Sequence, residues 1–307
     1  MSLTAPACAP PDLAPRRPQL ELPAGACDCH AHVIGPAARY ALSEQRIYTP
    51  PDCIAADYRA MLTAVGLSRA VLVQPSIYGS DNRLLVDTLL AAGTTNWRGV
   101  AVLAGDEDDA ELARLHQAGV RGARVNLVDR AERADRDKRL PLAALQALAA
   151  RIAPLGWHLE LLAHVDEHGA ELQALGELPV PVVFGHLGYL SVGRGVDDPG
   201  FRALLSLLRA GRAWVKLTGP YRLTRDALPY MVVDEMAAAL REAAPQRLLW
   251  GSDWPHVMLR GTMPNDADLV DLLARWLPDA ALRHQVLVDN PWSLYDMAPA
   301  AKGAPVG

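Results

Sequence analysis

His30 and His32 stand two residues apart at the end of a short apolar run that closes at Gly35-Pro36. Side chains two apart on a strand share a face, and Gly-Pro breaks a strand. Both imidazoles are therefore expected near the strand's C-terminal end, with Asp28 on the same face one layer deeper. Such a pair suits ligation of a metal or orientation of a substrate beside an acid or base. Asp253 ends another apolar run, where an unpaired carboxylate is costly to bury. His186 follows a third run and is flanked by Gly185 and Gly188, which let a ligand approach the backbone. Arg124, Arg130 and Arg222 follow further runs, and guanidiniums around one mouth suit an anionic substrate through bidentate pairing. His116, His158, His168 and His284 read as ordinary hydrogen-bonded or exposed residues.

Positioning these groups requires strands that end together. Short, nearly continuous apolar runs alternate with helical patterns eight times, for example Arg69 to Val73, 100–104, Val120 to Asn126, 157–162 and Ala213 to Leu217. Runs apolar on both faces imply a parallel sheet covered by helices. Eight units in one chain favour an α/β fold of the closed (β/α)8 TIM-barrel type, whose active site lies at the C-terminal ends of the strands. No Gly-x-Gly-x-x-Gly follows the first strand, so a dinucleotide fold has no support. The expected organisation is an irregular arm over 1–24, one barrel domain over 25–300 and a tail over 301–307.

Half of the 307 residues are apolar and the formal net charge is -5. That charge argues against a nucleic acid or a membrane surface as the main partner. The 4 cysteines form no disulfide framework, the arm lacks the apolar core of a secretory signal, and no apolar stretch reaches about 18 residues. A cytoplasmic protein is expected, and a homo-oligomer stays open.

His30-Ala-His32, Gly185-His186 and Trp250-Gly-Ser-Asp253-Trp-Pro-His256 together resemble the amidohydrolase superfamily (amidohydrolase-2 type). More narrowly, they resemble its branch of 2-pyrone-4,6-dicarboxylate lactonases. The likeness runs from about residue 25 to 296 and takes in Tyr48-Thr-Pro, Gln74-Pro-Ser76, Arg121-Gly-Ala-Arg124-Val-Asn126 and Asn290-Pro-Trp-Ser-Leu-Tyr295. The resemblance implies a hydrolase that opens a carboxylated lactone, a pyrone or a muconolactone, in the catabolism of aromatic compounds. Asp253 would be the general base for water, and His30, His32 and His186 would position and polarise the carbonyl. Tyr48, Ser76, Arg124, Arg130 and Arg222 would hold the anionic groups. Leu162, Tyr189 and Met258 depart from that branch, which has Tyr, Arg and Asn there, so the substrate is expected to differ in its anionic groups. No cofactor is expected. The alternative is one divalent metal, zinc above others, on His30, His32 and Asp253 with His164 or His186. Alternative activities are a sugar-acid lactonase and a zinc-dependent decarboxylase.

Overall fold

Eight parallel strands form one sheet in sequence order in the computed structural model, which describes residues 5–128 and 140–297. They are β1 (Cys27–Ala31), β2 (Arg69–Val73), β3 (Trp97–Ala101), β4 (Val120–Asn126), β5 (His158–Leu162), β6 (Val182–Phe184), β7 (Ala213–Leu217) and β8 (Leu248–Trp250). Just beyond β8, Asp253 N–H donates to His30 O and His32 N–H to Trp254 O, each at 2.8 Å. The β8 side thereby meets β1, giving the expected (β/α)8 barrel with helices between successive strands.

Strand alternation sorts the side chains into two layers. Leu72, Leu159, Leu161, Val182, Phe184, Val215 and Leu217 belong to the large core between sheet and helices. Val71, Val73, Val100, Val183, Trp214 and Leu249 form a second cluster inside the barrel. Tyr295 and Met297 join that inner cluster, and Arg98 Nε donates to Tyr295 O at 3.0 Å. The segment after Asn290 thus plugs the end of the barrel away from the site.

The third strand begins three residues before the expected 100–104. Asn82 explains the difference: its side chain bonds both the O and the N–H of Val102, at 2.8 and 3.1 Å, taking over groups a ladder would use. Over the described residues 5–24 the chain forms no helix or strand and is tied down. Cys8 N–H donates to Thr49 O at 2.9 Å, and Leu20 N–H donates to Asp271 Oδ1 at 2.8 Å. Among the described residues no helix is long and apolar enough to cross a membrane. The tail over 301–307 lies outside the described residues.

Candidate active site

The site depends on a break in the alternation of β1. Cys27 and Cys29 point into the barrel, so Asp28 points outward, not to the face of His30 as expected. Its Oδ2 accepts from the Tyr58 hydroxyl at 2.9 Å and the Ser252 hydroxyl at 2.5 Å. Its Oδ1 accepts from the N–H of His30 and of Ser252, at 3.0 and 2.9 Å. The β1–β2 register shifts between Asp28 and Ala31: this is a bulge, which re-aims side chains. His30 follows Cys29 inward, Ala31 joins the outer core, and His32 turns inward again. Gly251 permits this, since a Cβ there would lie 2.6 Å from His30 Cβ. Asp28 thereby fixes both the start of the His-x-His pair and the residue before Asp253.

Asp253 is fully buried, and its two oxygens have different surroundings. Oδ2 accepts from Arg222 Nε at 2.7 Å and from the Tyr221 hydroxyl at 2.8 Å. Oδ1 has no hydrogen-bond partner and lies 3.7 Å from His30 Nε2 and 3.8 Å from His32 Nε2. Burial alone would raise the Asp253 carboxyl, but the Arg222 guanidinium together with the neighbouring His186 and His32 outweighs it and holds the group well below the usual carboxylate range. Tyr221 is in turn supported by His256 Nδ1 at 2.9 Å, whose Nε2 lies 3.2 Å from Asp266 Oδ1.

Burial sets the charge of the histidines. It pushes His32 down to about 4 and His186 down to about 3. It also pushes His30 well below its ordinary value, with help from Lys216. All three are neutral at pH 7. His32 Nδ1 lies 2.7 Å from Val73 O; a carbonyl can only accept, so Nδ1 carries the proton and Nε2 keeps its lone pair. His30 Nδ1 faces Lys216 Nζ at 3.3 Å and Glu160 Oε1 at 3.4 Å. Lys216 and Glu160 are themselves a buried ion pair at 2.5 Å.

A cavity of about 620 Å³ opens over these groups, lined by His32, His186, Asp253 and Arg222 and also by Tyr48, Ser76 and Arg124. Ser76 Oγ lies 3.5 Å from the Tyr48 hydroxyl. Arg124 is buried, reaches Gln74 O at a long 3.4 Å, and leaves Nε without a partner. Arg222, read as a substrate clamp, also lines the cavity, but its Nε holds Asp253 and its Nη2 donates to Val257 O at 3.0 Å. Arg130 lies outside the described residues. The three departures, Leu162, Tyr189 and Met258, all face this cavity.

Tyr221, Lys216 and Glu160 were not singled out from the sequence, although a lysine inside Ala213–Leu217 and a glutamate inside His158–Leu162 are charged residues in otherwise buried strands. His158, taken as ordinary, lies inside the barrel 4.0 Å from Glu160. The mouth also concentrates left-handed backbone at residues other than glycine: His186, Leu187 and Tyr189 at φ 50–52°, Asp253 at φ 65° and Met258 at φ 59°. Such conformations cost on the order of 1 kcal/mol or more each, and clusters of them mark functional loops.

Donor atoms of His30, His186 and Asp253 lie within 4.8 Å of one another. His30 Nε2, His186 Nδ1 and Asp253 Oδ1 are buried without hydrogen-bond partners. In spacing, these three fit a divalent ion. His164 is not among them, for its Nδ1 is turned to Tyr189 O at 2.5 Å.

A parallel eight-stranded barrel carrying His-x-His on β1, a histidine after β6 and an aspartate after β8 is an amidohydrolase-type site. The chain belongs to the amidohydrolase family, whose model matches residues 27–297. It is 38% identical over 294 residues to a 2-pyrone-4,6-dicarboxylate hydrolase of Comamonas testosteroni, covering 92% of this chain and 93% of that one. It is 34% identical over 278 residues to a 4-sulfomuconolactone hydrolase of Rhizobium radiobacter, covering 89% and 91%. A crystal structure from Agrobacterium tumefaciens superposes with a TM-score of 0.81 at 28% identity, covering 92% of this chain and 99% of that one.

The buried histidines predict an acid-labile fold. Burial also pushes His158 down to about 3, so below about 6.5 the unfolded chain binds protons that neutral His30, His32, His158 and His186 refuse, and stability falls as pH drops through the window from about 6.5 to 4. Asp28, raised by burial to about 6, acts oppositely in that window but is one group against four. The melting temperature should therefore fall steadily from pH 7 to pH 5 in calorimetry; a flat or rising value would contradict the neutral assignment.

Proposed function

We propose that the protein hydrolyses a lactone carrying an anionic group, with Asp253 as the base for water and no metal taking part. The observation that carries this reading is the divided Asp253 carboxylate, one oxygen anchored and the other buried and bare. Oδ1 is the acceptor for a water proton, beside the lone pair of His32 Nε2, which accepts a hydrogen bond from the hydrogen that stays on the attacking oxygen. A carboxylate held so low is a weak base, and this suits an activated ring ester better than an amide. The names of the two relatives support the same reaction class.

The carbonyl is polarised by donors, and tautomers decide which histidine supplies one. The Lys216 ammonium has three protons and no lone pair. Its approach to His30 Nδ1 leaves the ring proton on Nε2, aimed at the mouth, where it donates to oxygen as charge develops. His32, protonated on Nδ1, serves the water instead of the carbonyl. Arg124, a buried cation with no carboxylate within ion-pairing distance among the described residues, takes an anionic group of the substrate. Were a divalent ion held by His30, His186 and Asp253, it would polarise the carbonyl and lower the pKa of a bound water to about 7. His30 would then need its proton on Nδ1, turned to Glu160.

Two measurements follow. Asp253→Asn should lower kcat on carboxylated lactones by at least about a thousandfold while ligand binding, followed by calorimetry, persists; unchanged turnover would remove Asp253 from the role of base. Long-range 15N–13C spectra, with the His30 signals assigned from a His30→Gln sample, should show the proton of His30 on Nε2. A proton on Nδ1 would contradict the donor role and favour metal ligation.

A further inference from the structure

The cavity is larger and more unevenly charged than a compact ring needs. Its volume of about 620 Å³ lies in the range that encloses a drug-sized ligand. Among the described residues, four arginines line it, Arg124, Arg222, Arg225 and Arg260, against the single carboxylate of Asp253. Asp253 is matched by Arg222, which leaves one cation at depth and two at the rim. Arg124 is 8% exposed, whereas Arg225 and Arg260 are exposed. Among the described residues, neither rim arginine makes a hydrogen bond or an ion pair with a protein group. Apolar side chains line the same cavity and grade outward, from Leu162 at 5% exposed through Met258 at 36% to Val192 at 51%.

We infer that the substrate carries two anionic groups far apart, one bound by Arg124 beside the ring and the other at the end of an apolar arm, bound by Arg225 and Arg260 at the rim. The inference rests on the lactonase reading and narrows it to an elongated dianionic lactone. Each feature has its part. The buried cation needs an anion close to the reacting ring. Leu162, Met258 and Val192 favour methylene groups over hydroxyls, because a polar group there would lose water without gaining a partner. The rim guanidiniums take carboxylate or sulfonate oxygens bidentately. Being exposed, the rim pair would be screened by salt, so its share of the affinity falls as ionic strength rises.

The test uses three butenolides that share one ring carboxylate. In the first, the second carboxylate is also on the ring; in the second, it ends a short alkyl arm; the third is the methyl ester of that arm. For the wild-type protein, kcat/KM for the arm acid should exceed that for either other compound by about tenfold at low salt. In the double variant Arg225→Ala, Arg260→Ala the ratio of arm acid to arm ester should fall to near unity. A wild-type preference for the compact diacid, or a ratio that survives in the double variant, would overturn the inference. If the wild type opens none of the rings, the lactonase reading fails separately. The subsite is then decided by calorimetry with the corresponding lactams, which keep ring and arm but resist hydrolysis. The arm-acid lactam should bind about tenfold more weakly to the double variant than to the wild type, and equal binding would refute the subsite.

Discussion

The whole mouth depends on how the Asp253 carboxylate is shared. A buried ionised carboxylate is tolerated when a partner of opposite charge offsets its desolvation, and Arg222 Nε at 2.7 Å is that partner. The Tyr221 hydroxyl binds the same oxygen, so both stabilising contacts fall on Oδ2 and none on Oδ1. A symmetric, fully bonded carboxylate would be better satisfied and chemically idle. The loop after β7 therefore holds Asp253 ionised while leaving a lone pair directed at His30, His32 and the cavity.

The frame beneath this arrangement is polar where most barrel interiors are apolar. Asp28 accepts four hydrogen bonds, of which the two from Ser252 tie β1 to the end of β8 and the others come from His30 and Tyr58, and the bulge it accompanies turns His30 into the barrel. There His30 meets the Lys216–Glu160 pair, buried beside Val183 and Trp214 of the strands that carry the site. Charges placed so deep contribute little net stability; they face one imidazole edge, that of His30 Nδ1. Left-handed residues at both mouth loops add to the cost, and the packed outer core offsets it.

Much of this was legible in the sequence. Alternating apolar runs and helical patterns specify the eight-unit barrel, and a barrel's strand ends must bring His30, His32, His186 and Asp253 together. What was not legible is local phase and pairing. Strict alternation puts Asp28 and His30 on one face, and nothing in Cys27-Asp28-Cys29-His30 announces the extra residue that separates them. Arg222 was visible as a cation near the mouth, but its attachment to Asp253 depends on loop geometry that no spacing rule contains. Lys216 and Glu160 did leave a signal, a charged residue in each of two buried strands, and pairing such residues across strands would have found them.

The proposed function has the protein's own groups, without a metal, open a lactone ring. It is tested most directly on protein stripped of divalent ions by chelation, given carboxylated lactones in a pH-stat with carbon dioxide monitored. Ring opening by these groups alone should release one proton per ring and no gas, at a rate that added zinc or manganese leaves unchanged. Loss of turnover on stripping with recovery on adding back the metal, or release of carbon dioxide, would contradict it.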